Sequence, residues 1–472
     1  MSISPTNEAR LWRPTKAQRK RTIKLAITST IISTVAGTCI GNNIVTLLAV
    51  DLGAGPVFIG FLTFAAAFPT VFRAFTMSTM ERVGKKRLLV FWTTIGTFFM
   101  VPMLLVPLLA WHNERYFVVC LWIILVSSAI RYTLFALGDT GWFPILQDFV
   151  PRSITGRFFA SMRTSWQTAL LVATLAVAWF LKGQERAFWK FEIVFAIALA
   201  LHVLKIFTFI PMVERPPHPP RTLSPSILAR LRDAWHDSAM RSYLMYLMTY
   251  TFAMSVTGQF RLMMLKEEAK YSNSFIMFTT SLAPLGAILA LRVWGRIADR
   301  FGNRAILSIT NVGMIISCCA WVFVHNSILG MILTAVLFFV MSVFGSGQGI
   351  AQTRYMMHVV PAEKQYYITV CNIAAGVVAG LAPLFGGFFL DWTSGIVFRT
   401  RLVDFNNYNI LFVLSAVLFM VPHLQRRQLS MAHETSTVEV IAFVTRPLLT
   451  MFGPFANITR TRNIRNHPER AE

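Results

Sequence analysis

With 55% hydrophobic residues, 14% charged residues and a mean hydropathy of +0.56, a 472-residue chain has too little polar surface to cover soluble domains of ordinary size, so it belongs in a bilayer. The formal net charge of +23 would suit nucleic acid, but the placement of the basic residues excludes that partner. Cys39, Cys120, Cys318, Cys319 and Cys371 lie in apolar segments without a CxxC or a paired His, which reads as core packing, with no metal and no cofactor.

The N-terminus sets basic residues before about 25 mostly apolar ones, too long for a signal-peptide core, and is expected to stay as the first span. A helix needs ~20 apolar residues to cross the hydrocarbon core. Six such stretches fall at 23–50, 57–80, 88–110, 116–143, 158–181 and 191–212, and six more at 242–265, 274–297, 305–325, 329–360, 367–390 and 408–424. The expected fold class is an all-α membrane protein of twelve transmembrane helices in two six-helix bundles. Its domains are residues 1–212, a linker at 213–241 holding a short amphipathic helix, residues 242–424, and a basic tail at 425–472 lying on the membrane surface.

With the N-terminus inside, thirty of the 44 Lys and Arg fall in inner segments, eight in outer ones and six within spans. That bias places both termini in the cytoplasm and makes the charge topological. The protein is expected in the cell or inner membrane, a multi-pass monomer with the lipid bilayer as partner.

Between the eighth and ninth spans lies GRIADRFGNR, and MSTMERVGKKR occupies the same place between the second and third. At an offset of 218 residues, Glu81 falls on Asp299, Arg82 on Arg300, Gly84 on Gly302 and Lys86 on Arg304. DFVPRSITGRFFASMR similarly overlies HVVPAEKQYYITVCN, with Pro151 on Pro361. Two halves in the same order predict parallel repeats about an axis along the membrane normal. The tight turn wants Gly302 for a positive φ, while Asp299 can pair with an arginine across the bundle or accept from helix-terminal amides.

The chain resembles the major facilitator superfamily, whose loop signature G-x-x-x-D-R-x-G-x-R or K is matched by Gly295, Asp299, Arg300, Gly302 and Arg304. The first-half copy departs from it at Met77 and Glu81. The resemblance implies a secondary transporter that moves a small-molecule substrate by alternating access, with a proton or sodium ion as the coupling partner. Those loop residues would form a cytoplasmic gate, with Glu81, Arg82, Gly84, Asp148 and Arg157 as its first-half side; Asp148 or Glu81 would pair with Arg82 or Arg157. The alternative is a non-transporting assembly factor or scaffold on the same fold. An enzyme is not expected, since no DxD, ligand cluster or nucleophile with a base is present.

Of the six bases inside spans, Arg73, Arg163, Lys205, Arg261 and Arg292 lie near span ends and are read as snorkelling. Arg131 lies roughly 22 Å deep at 1.5 Å per residue, where it needs a wet cavity or a partner; binding an anionic or strongly polar solute group is its expected role, with a structural ion pair as the alternative. Asp139 is a candidate partner or proton site. In the family, spans one, four, seven and ten line the cavity, which implies Asn42, Asn43, Gln259 and Gln348 as further candidates. GSGQG at 345–349 lacks a preceding strand and a GK[ST], so it reads as helix packing, as does the glycine spine of the eleventh span from Gly376 to Gly387.

Overall fold

A computed structural model describes residues 15–150, 155–183, 187–212, 214, 227–360, 364, 366–396, 398–399 and 404–429. The expectations for residues 1–14, Pro151, Pro361 and the tail beyond 429 lie outside the described residues, as do the side chains of Met77, Glu81 and Arg157.

Twelve spans are present among the described residues. The first six are Lys16–Cys39 with Asn42–Asp51, Pro56–Ala67 continuing through a 3-10 turn into Arg73–Val83, Lys85–Phe98 with Val101–His112, Phe117–Asp139 with Trp142–Phe149, Thr155–Phe180, and Phe188–Phe209. The second six are Ser238–Ser255 with Phe260–Glu267, Asn273–Phe301, Asn303–Ala320, Ile328–Val359, Tyr366–Trp392 and Asn407–Gln425. Side-chain oxygens of Thr15, Asp237, Ser272, Ser327 and Asn406 accept from first-turn amides and start five of these helices. Ten spans are long and apolar enough to cross a membrane on their own. The exceptions are the fifth, which carries Arg163 and Gln167 among hydroxyl residues, and the seventh, which is broken.

The first and seventh spans were expected to be continuous and are not. The first breaks at Ile40 and Gly41, the seventh between Val256 and Gln259. Shifted by the repeat offset, the first break falls inside the second. The packing repeats too. Span one packs on five and six as seven packs on eleven and twelve, and two packs on four as eight packs on ten. Two on eleven and five on eight join the halves.

Glycine makes the first of those joints possible. A Cβ on Gly387 would lie 2.7 Å from the Pro56 carbonyl oxygen, and one on Gly60 would lie 2.8 Å from that of Pro383. The spine of the eleventh span is therefore a close-approach surface for the second span, with Gly386 turned instead to the Val256 carbonyl.

Both repeat turns hold glycine at positive φ, Gly84 at 104° and Gly302 at 77°. Gly295 sits mid-helix with open space where a Cβ would go. Gly302→Ala should therefore cost roughly 1 kcal/mol from its φ, whereas Gly295→Ala should be neutral or stabilise by up to about 1 kcal/mol. Thermal unfolding of the two variants in detergent checks the opposite signs.

The linker helix Ile227–His236 docks on the second half. Asp233 accepts from Tyr366, from Lys364 Nζ at 3.0 Å and from Tyr367 at 3.1 Å, and the Tyr366 and Lys364 hydrogen bonds hold its carboxyl below the usual range. Ala234 and Leu231 join the second-half core, while Leu228 and Trp235 stay exposed.

Candidate functional site: a cavity between the halves

The apolar core is distributed unequally along the bundle. Toward the face away from the Gly84 and Gly302 turns, one cluster takes in residues of both halves, from Ile44 and Leu48 to Met263 and Phe412. Toward the turn face it divides into separate clusters, one around Ile145, Phe149 and Phe209 and one around Tyr243, Trp294 and Tyr355. A cavity of about 1170 Å³ occupies the gap, walled by spans one, two, four, five and six of the first half and by eight and ten of the second.

Polar contacts close the far end. Gln259, at the break in span seven, donates from Nε2 to Asn43 Oδ1 at 3.3 Å and accepts from Thr46 at 3.3 Å. Further out, Asp51 takes Lys266 at 2.9 Å and Asn273 Nδ2 at 2.7 Å, with its own side chain only 3% exposed. Ser274 reaches the Ala178 carbonyl at 2.7 Å. All five contacts cross between halves.

On the cavity wall, span one presents Ser29, Thr30, Ser33, Thr34 and Thr38 along one helical face, at three- and four-residue spacing. Asp139 faces Arg73 at 3.5 Å, both half-exposed to the cavity. Arg163 and Lys205 also line it, the Lys205 ammonium lying 5.5 Å from the Phe209 ring centre. Aromatic wall comes from Trp142, Phe143, Phe159 and Trp166.

Of the expected substrate-path residues, Asn42, Asn43 and Asp139 line the cavity, and Gln259 caps its far end. Arg131 does not line it. Only 2% exposed, it donates from Nη2 to the Ile40 carbonyl at 3.2 Å and stacks 4.3 Å from the Tyr132 ring centre. The helix break frees that carbonyl from intrahelical bonding, and Arg131 satisfies it from behind the wall. Gln348 is likewise withdrawn, its amide spent on Tyr246 and on Thr310, which donates at 2.8 Å, inside the second half. Conversely, Arg73, Arg163 and Lys205, expected to snorkel, turn into the cavity. The signal that could have found them is the Ser and Thr stripe of span one, which marks a wet face opposite them.

The gate residues pair otherwise than expected. Asp148 binds Lys85 at 2.7 Å, a side chain that follows the Gly84 turn directly. Arg82 is exposed, and Glu214 accepts from the Lys86 amide at 2.7 Å, capping the third span. Asp299 pairs with Arg354 at 2.5 Å, within the second half rather than across the bundle. Arg300 lies over the Phe301 ring, its charge centre 5.3 Å from the ring centre, and Arg304 follows Gly302 in the first turn of span nine.

The family model described as Major Facilitator Superfamily matches residues 242–457. No curated protein matches the chain. Among solved structures, it is similar to a mutant of the nucleoside transporter NupG, with a TM-score of 0.67 at 13% identity, covering 87% of this chain and 100% of that one. It is also similar to a bacterial homolog of the human lysosomal transporter Spinster in an inward-facing, occupied conformation (TM-score 0.64, 14% identity, 88% and 97% covered). A third is the xylose transporter XylE from E. coli in a partially occluded inward-open conformation (TM-score 0.60, 12% identity, 88% and 98% covered). At such identities the likeness is one of fold, and it extends over both halves. The second half thus matches the Major Facilitator Superfamily model, and the likeness in fold to solved membrane transporters covers both halves.

Proposed function

We propose that the protein is a secondary transporter that moves a small anionic solute by alternating access. The cavity between the halves, sealed at one end and parted at the other, carries this reading. Basic residues concentrate at the parted face, which the positive-inside bias makes cytoplasmic, so the conformation described is inward-facing. The cavity wall supports an anion, because among the described residues three bases face one carboxylate there. Asp139 is the cavity carboxylate a coupling proton or sodium ion would use, with Arg73 as its counter-charge. Proteoliposomes assayed for counterflow of organic anions, sugars and nucleosides test the proposal, and no flux for any of them sinks it.

In this reading Asp299, Arg354 and the Gly302 turn steady the cytoplasmic rim of the second half as it rocks. The Asp299 and Arg354 side chains are 74% and 44% exposed, so their pair contributes at most about 1 kcal/mol to stability. Asp299→Asn should leave the yield and melting temperature of folded protein near wild type while lowering counterflow several-fold. Wild-type counterflow would reduce the loop to a topology-setting turn.

A further inference from the structure

We infer that the solute is a flat aromatic anion carrying a hydrogen-bond donor away from its charge; this rests on the transporter reading above and narrows it. Three independent features of the wall point there.

The first is charge. Asp139 neutralises Arg73, but among the described residues neither Arg163 nor Lys205 has a carboxylate within ion-pair distance. Lys205 has the rings of Phe135 and Phe209 as neighbours instead. Two cations facing an apolar-walled cavity gain most from a solute that brings negative charge to them.

The second is shape. Trp166 and Phe143 are 42% and 55% exposed although both face the cavity. Aromatic side chains in such a wall supply apolar surface that a planar ring packs against well.

The third is hydrogen-bond polarity. The hydroxyls of Thr30, Thr34 and Thr38 each donate to the carbonyl four residues earlier, at 2.8, 2.8 and 2.9 Å, so only their lone pairs face the cavity. Asn42 is oriented by the same logic. Thr63 spends its proton on the Ile59 carbonyl at 2.8 Å, so at 3.4 Å from Asn42 it can only accept, and the Asn42 amide nitrogen must point to it. That leaves Asn42 Oδ1 buried with no donor. The threonine hydroxyls and Asn42 Oδ1 thus present acceptors along this wall, and a solute hydroxyl or amine supplies the donor they lack.

The test is thermal unfolding of the purified protein with 4-hydroxybenzoate, 4-hydroxyphenylacetate and 4-hydroxyphenylpropionate, which differ in reach. Comparators are benzoate, cyclohexanecarboxylate and 4-hydroxybenzyl alcohol, which lack the donor, the flat ring and the charge, with uridine and D-xylose as neutral polar solutes. At least one hydroxylated aromatic acid should raise the melting temperature and be counterflowed, and each comparator should bind at least about tenfold more weakly. Arg163→Gln with Lys205→Gln should lower affinity for that acid by about tenfold or more without moving the ligand-free melting temperature. If that double variant proves unstable, either single replacement carries the same expectation with a smaller drop. Stabilisation by uridine or D-xylose and by none of the acids overturns the inference while leaving the transporter reading intact. Loss of the transporter reading itself shows separately, as absence of any change in two-sided thiol accessibility of the cavity, and removes the inference with it.

Discussion

Asp51→Ala should open the far face. The Asp51 carboxylate is held by Lys266 at 2.9 Å and by Asn273 at 2.7 Å, and the two side chains of the ion pair are 3% and 13% exposed. Removing one partner of a buried pair leaves an uncompensated charge and costs about 3–5 kcal/mol. The cost falls on one conformation, because in the opposite one the halves part at this face and water solvates Lys266. A differential of ~3 kcal/mol is a roughly 150-fold change in the ratio of the two conformations. In a cysteine-free background, Thr34→Cys on the cavity wall should then react faster with a membrane-impermeant thiol reagent from the far face and more slowly from the turn face. Unchanged accessibility would show that the seal does not depend on this pair. The double variant Asp51→Leu with Lys266→Met separates sealing from misfolding, since an apolar pair of similar volume can replace a buried ion pair without loss. It should return the accessibility toward wild type.

What could be read from sequence and what could not follow one physical line. The turns at Gly84 and Gly302 were legible because a charged, glycine-bearing interruption between apolar runs has few other structures, and both glycines do take positive φ. The span count was legible for the same reason, since a bilayer fixes the length of any helix that crosses it. The spine from Gly376 to Gly387 was legible as packing, but not its partner, because close approach depends on the small residue alone while the neighbour is set by the tertiary fold. The breaks in spans one and seven carry no proline, so hydropathy runs through them unmarked. Depth along a span can be counted from sequence, but the direction a side chain faces around it cannot be fixed without knowing the neighbours. Arg131 was placed near the midplane yet faces the Ile40 carbonyl, whereas Lys205 and Arg163, nearer the ends, face the cavity. Gln348 fails in the same way, its amide consumed by Tyr246 and Thr310 brought in from two other spans.

Tying the halves together at the far end should stop transport outright. Thr46 donates to Gln259 Oε1 at 3.3 Å across the interface, and alternating access requires that contact to part in every cycle. In the cysteine-free protein, Thr46→Cys and Gln259→Cys joined by a short bis-methanethiosulfonate should lower counterflow by roughly tenfold or more, with recovery on reduction. A link across Asp233→Cys and Lys364→Cys provides the control. Their side chains pair at 3.0 Å between the linker helix and the residue just before span eleven, on one side of the interface, so a bond there does not couple the two halves. It should leave counterflow near that of the uncross-linked variant. The outcome also separates a transporter from a scaffold with the same fold, because a scaffold works without the halves moving. Undiminished counterflow in protein shown by mass spectrometry to be fully linked at 46 and 259 would rule out rocking about this seam. The same protein with flux lost only when the far end is tied, and kept when the linker is tied, places the moving boundary between the first and seventh spans, where the two helix breaks meet.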